Sequence, residues 1–205
     1  MPPMTPGASK PPTKRAYAPS MSRARHLAPR YPPPMRHVAF VRNLNQGQRG
    51  HVTTADLVAA FVEAGCHDPA PFQSNGTVVF AGDAERAQDA ALVLAARAGV
   101  EREIFTLTLG EVRAIVTDHA PAPDAARREL TLHAGGPITL GPRAQDEAAR
   151  RRCTLLESAD GWTVTLNERE RESNATPVIE RLSGAAATSR GLPTLVRLIA
   201  RLGHT

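Results

Sequence analysis

Two short stretches carry the residue types best suited to holding an anion. The first, "NLNQGQRGH" (43–51), follows an apolar run ending at Arg42 and leads into a helix start, so Arg42, Asn45, Gly47, Arg49 and His51 stand between a strand and a helix. Guanidinium groups and the unpaired amides of a helix N-terminus both favour negative charge. The second, "ATSRGLPTL" (187–195), sets Thr188, Ser189, Arg190 and Thr194 around Pro193, a residue suited to the first turn of a helix. Arg42, Asn45, Gly47, His51, Thr188, Arg190 and Thr194 are therefore the candidate ligand-binding set. A plainer chemistry competes: the first stretch serves as a solvated connection, while Thr188 and Thr194 only cap and pack.

Other arrangements fail on spacing. A Walker loop needs Lys-Ser/Thr directly after its last glycine, and Gly50 is followed by His51-Val52. "CHD" (66–68) offers adjacent residues, which rarely ligate one ion, and no partner cluster accompanies it, so no metal is expected. Nothing brings Ser74 together with a histidine and an aspartate, and no pair of carboxylates stands out. "RRR" (150–152) and "ERERE" (168–172) read as solvated faces. No cofactor is indicated. Three functions remain open: binding of a small anion or nucleotide, a metal-independent enzyme using Arg42, His51 and Arg190 electrostatically, and an RNA- or protein-binding module.

The basic character of the chain sits at one end. Of its 205 residues, the first 55 hold Lys10, Lys14, seven arginines and no acid, while residues 56–205 carry a net charge of −4. Ten of the first 34 residues are proline, a composition that buries too little apolar surface to offset its ordering entropy. Residues 1–35 are expected to be a disordered tail, able to touch nucleic acid or an acidic partner if it is functional. Met21 and Met35 are also candidate starts, and a chain beginning at Met35 would hold 19 basic and 20 acidic residues. Two cysteines without CxxC spacing, no signal-peptide pattern and no apolar run near the roughly 18 residues of a membrane helix point to a soluble, intracellular protein.

The elements that must position the arginines are legible from periodicity. "RHVAFVR" (36–42) reads as a buried strand, and "TTADLVAAFVEAG" as a helix with a capping box at Thr53 and Asp56 and a stop at Gly65. Asn75-Gly76 marks a hairpin, Asp83 is expected to cap a helix that ends at Gly99, and "REIFTLT" is a strand. "TLGEVRAIV" adds a helix with a second capping box, Thr108 and Glu111. The rest repeats the order: "RELTLH" strand, "AQDEAARRR" helix, "CTLLES" and "WTVTL" a hairpin about Asp160-Gly161, "TPVIERL" helix, "AAATS" strand, "PTLVRLIARL" helix. The two hairpin turns lie 85 residues apart. The expected fold is α+β: two ferredoxin-like β-α-β-β-α-β units in tandem, 36–120 and 121–205, each followed by an extra helix.

Two resemblances follow from these residues. "AFVRNL" (39–44) with the glycine-led "GTVVF" (76–80) resembles an RNA-recognition motif, but Thr77 and Val79 stand where base-stacking aromatics are needed and Phe80 falls on the opposite face, which argues against RNA binding by stacking. The segment "VAFVRNLNQGQRGHVTTADLVAAFVEAGCHDPAPFQSNGTVVF" together with "AATSRGLPTLVRLIARL" is more similar to the bacterial family known as domain of unknown function 1697. That pattern has an Arg-Gly-Ile-Asn-x-Gly loop, a Tyr-x-x-Ser-Gly-Asn hairpin before Val-Val-Phe, and a closing Thr-x-Arg-Asn-Trp-x-Thr. Arg42, Asn45, Gly47, Gly76, Phe80, Thr188, Arg190 and Thr194 match it. Asn43 replaces a glycine, His51 a lysine, Phe72 the tyrosine, Asn75 and Thr77 flank the hairpin glycine, and Gly191-Leu192 stand for Asn-Trp. The resemblance implies a fold of two small α+β units and a cytoplasmic protein, and no reaction.

Overall fold

The strand–helix order expected in each half is the order found. The computed structural model describes residues 1, 34–44, 52–99 and 101–203; residues 2–33 of the tail, Asn45, Gly47, Arg49 and His51 lie outside the described residues. The first half runs β1 (Arg36–Val41), α1 (Thr54–Glu63), β2 (His67–Phe72), β3 (Thr77–Ala81), α2 (Arg86–Ala98), β4 (Ile104–Thr108) and α3 (Leu109–His119). The second runs β5 (Arg128–His133), α4 (Pro142–Arg150), β6 (Cys153–Ala159), β7 (Trp162–Asn167), α5 (Ala175–Ser183), β8 (Ala187–Gly191) and α6 (Leu192–Leu202). Each half forms one four-stranded antiparallel sheet, ordered β2-β3-β1-β4 and β6-β7-β5-β8. Both belong to one unit, Pro34–Thr205.

Alternation along β1 and β3 sorts the first sheet's side chains into two cores. Ala39, Val41, Val78, Phe80 and Ile104 pack under α1 and α2 through Leu57, Phe61, Ala90 and Leu94. Val38, Phe40, Val79 and Leu107 face the other way, into a cluster built by α3, α6 and the Leu130, Leu132 and Val164 face of the second sheet. Phe80 thus lies beneath helices, stacked on His37 at a centroid distance of 5.4 Å and meeting the tilted Phe61 ring at 5.6 Å. Each large side chain fully withdrawn from water contributes about 1.5–3 kcal/mol, so this central cluster dominates the cohesion of the two halves.

The second sheet's outer face is unusual for a covered face. Glu129, Thr131, His133, Thr163, Thr165 and Asn167 are all buried there, while α4 and α5 supply Ala144, Ala148, Val178 and Ile179. Buried polar groups are tolerable only when hydrogen-bonded, and most of these are. The Thr131 and Ser189 hydroxyls lie 2.8 Å apart, and Ser189 meets Thr176 of α5 at 2.7 Å.

Helix ends follow their local chemistry, with one correction. Thr53/Asp56 and Thr108/Glu111 form complete capping boxes, and Gly99 ends α2 in the left-handed region at φ 66°. Asp83, expected to cap α2 with its side chain, does not. The chain enters through a tight turn in which the backbone carbonyl of Asp83 accepts from the Arg86 amide at 3.1 Å, and α2 begins at Arg86 without a side-chain cap. The β2–β3 link spans four residues, 73–76, with Gln73 and Gly76 at positive φ.

Candidate functional site

Arg42 and Arg190 each bridge the two halves, but in opposite electrostatic settings. Arg42 follows β1. Its Nε donates to the Ala187 carbonyl at 3.1 Å, and its terminal nitrogens donate to Glu103 at 3.1 Å and Glu180 at 2.7 Å. Glu103 and then Glu180 hold this guanidinium charged, above its ordinary range. Burial would raise the Glu103 carboxyl, but its own backbone amide and Arg42 outweigh that and lower it. Arg42 therefore acts as a brace across the seam.

Arg190 has no carboxylate partner among the described residues. It is 8 % exposed, and its guanidinium sits 5.9 Å from the centroid of the Phe40 ring. Nε donates to Thr77 Oγ1 at 3.2 Å, Nη1 to Thr188 Oγ1 at 3.0 Å and to the Ser189 carbonyl at 2.8 Å, and Nη2 to the Val41 and Asn75 carbonyls at 3.0 and 2.5 Å. A guanidinium has five N–H donors, and all five are engaged by neutral oxygens. Desolvation pushes its pKa down to about 10, which still leaves it charged at neutral pH. Removing an ion from water costs several kcal/mol that neutral partners only partly offset.

Gly76 makes this contact set attainable. Its φ is +73°, and a Cβ there would lie 2.9 Å from Leu44 Cβ and 3.0 Å from the Val41 carbonyl oxygen. The hairpin can approach the end of β1 only because that carbon is missing. Arg190 then ties the hairpin, β1 and β8 together.

A cleft of about 440 Å³ opens along β8 at this point. Thr188, Ser189, Arg190 and Gly191 of β8 line it. Asn43, Leu44 and Asn75 from the first half and Glu129, Arg171, Glu172, Ser173 and Thr176 from the second complete the lining. Thr194 is not in the lining; it lies on α6 and accepts from Arg197 at 3.3 Å. A larger depression, about 590 Å³, lies between Gly136–Ala144 and Arg181–Ser183. Its Arg143 is exposed and its Arg181 donates to Glu147 at 3.0 Å, so it presents no buried, uncompensated charge, and we take the β8 cleft as the site. Among the described residues no group of three or more His, Cys, Asp or Glu could hold a metal ion.

Residues 35–152 match the family model described as "Protein of unknown function (DUF1697)". The chain belongs to this family. The match stops at Arg152, so within the DUF1697 pattern it takes in Arg42, Gly76 and Phe80 but leaves Thr188, Arg190 and Thr194 outside the matched residues. One DUF1697 substitution now has a physical reason: Asn43, where the pattern has glycine, sits at φ 53°, a region asparagine tolerates better than other side chains. The fold is similar to that of the conserved bacterial protein SP0830 from Streptococcus pneumoniae, with a TM-score of 0.52 and 16 % identity over 83 % of this chain and 99 % of that one. No curated protein matches this chain.

Glu129, Asn167 and Thr176 went unnoticed as site residues in the sequence. The signal available was the pattern of "RELTLH", a strand with hydrophobic residues on one face and Glu129, Thr131 and His133 on the other, in a segment with helices to cover both.

Proposed function

We propose that this DUF1697 protein binds a small anionic ligand in the β8 cleft. The observation that carries the reading is the buried Arg190 guanidinium, held among the described residues only by neutral oxygens and lining an open cleft. Because its donors are engaged, Arg190 acts on the ligand through its field and through Thr188. The Thr188 oxygen accepts from Arg190, which leaves its own O–H to donate to the ligand and polarises it. Arg171, on the rim and without an ion pair among the described residues, offers a second cation. Arg42 fixes the start of β8, while Asn45, Gly47 and His51 follow directly on Asn43 and Leu44 of the cleft wall and belong to the same proposed site. Thr194 contributes to α6.

We also infer that residues 36–120 and 121–205 are ferredoxin-like units in tandem. The support is the identical strand order of the two sheets and the α3 and α6 helices that follow each one.

Thermal unfolding with inorganic phosphate and a nucleotide panel tests the binding reading. A ligand at 100 times its Kd adds about 2.7 kcal/mol, which raises Tm by roughly 5–11 °C in a domain of this size. Thr188→Val keeps the side-chain shape and is expected to fold and to lose the shift. Arg190→Gln is expected to lose it as well, at a cost in basal stability. An unliganded Tm unchanged by every anion would overturn the reading.

A further inference from the structure

Glu129 is a second buried charge in the same cleft. It is 5 % exposed, its Oε2 accepts from Asn167 Nδ2 at 2.9 Å, and among the described residues no cation lies within ion-pair distance of it. Asn167 is itself fixed: Nδ2 also donates to the Arg127 carbonyl at 3.3 Å, and Oδ1 accepts from the Asn174 amide at 3.2 Å. That places Glu129 as a positioned carboxylate with one oxygen left for a donor.

The β5–β8 register sets Leu130 opposite Arg190 and Glu129 opposite Gly191. The two charged positions are therefore one step apart along the ladder, and by strand alternation they leave the sheet on opposite faces of its β8 edge. They form no ion pair with each other. Both line one cleft, and among the described residues each is hydrogen-bonded only to neutral groups. A ligand with one charge would relieve one of these penalties and leave the other.

We propose that the ligand is a small zwitterion, with its ammonium against Glu129 and its anionic group against Thr188 in the field of Arg190. This rests on the anion-binding reading and adds the cationic end. An ammonium has three donors. Glu129 supplies one acceptor, and the hydroxyl oxygens of Ser189 and Thr176 line the same cleft. The anionic end is a phosphate or a carboxylate, both of which the Thr188 hydroxyl serves.

Calorimetric titration of the full chain with two matched pairs tests this: O-phosphoethanolamine against ethyl phosphate, and β-alanine against propionate. In at least one pair the ammonium is expected to tighten binding tenfold or more. Glu129→Gln is expected to erase that margin while the affinity for the simple anion stays within about threefold. Equal affinities within both pairs, or a margin that survives Glu129→Gln, would overturn the zwitterion and leave anion binding standing. Absence of binding by all four compounds would overturn both. The matched pairs read the effect in the unmodified protein, so a poorly folding Glu129→Gln does not block the test.

Discussion

At the scale of single residues, the protein distinguishes charges that brace from charges that are kept available. Arg42 and Arg190 have the same chemistry and lie at the same seam, yet two carboxylates pair with the first and, among the described residues, none pairs with the second. Sequence reasoning picked out both, because arginine beside a helix start is a visible signal. It did not separate their roles, since Arg42 meets Glu180 and Arg190 meets Thr77 across 138 and 113 residues. Glu129 was hidden for a related reason: nothing in a strand sequence says whether its polar face meets water or another helix. His133 shares that face. It is 2 % exposed, and burial holds its imidazole below its ordinary 6.5. As pH falls, the unfolded chain takes up the proton first, so the stability His133 contributes is complete above about 6.5 and is lost as pH drops below it. Urea unfolding at pH 7.5 and 5.5 is expected to show a larger loss for the native chain than for His133→Gln. Equal losses would show that His133 does not set this sensitivity.

At the scale of elements, what is local was legible and what is tertiary was not. The capping boxes of α1 and α3 need only residues three apart, and both form as the sequence indicated. Thr108→Ala removes the cap at the β4–α3 junction and is expected to cost about 1 kcal/mol in chemical denaturation. Asp83 failed as a cap because the backbone of the preceding turn reaches the Arg86 amide first. The hairpin at Asn75-Gly76 was legible as a turn, but the reason for its glycine was not: it is the approach of Leu44 and Val41 from another strand. Gly76→Ala adds both a left-handed penalty and a clash, so a loss of roughly 2–4 kcal/mol is expected. A loss under 1 kcal/mol would mean that the hairpin can retreat from β1 without disturbing Arg190.

At the scale of the whole molecule, two similar halves differ where the site lies. Leu107 and Arg190 hold equivalent positions in β4 and β8, each opposite a hydrophobic residue of the central strand, Val38 and Leu130. In the first half that position packs as leucine; in the second it is a buried cation beside a cleft. The two sheets share one strand order, and the proposed site lies where the side chains of the second depart from those of the first. The order of elements could be read from hydrophobic periodicity, since both halves repeat the same pattern. The cleft could not, because it is formed by β8, the end of β1, the first hairpin and the start of α5 together.

The most direct test of anion binding is a phosphate titration followed by the backbone amide resonances of isotopically labelled protein. The account predicts saturable shifts centred on Thr188, Ser189 and Asn43, absent in Thr188→Val. Shifts confined to Arg143 and Arg181 at the larger depression, or no saturable shifts at all, would contradict it.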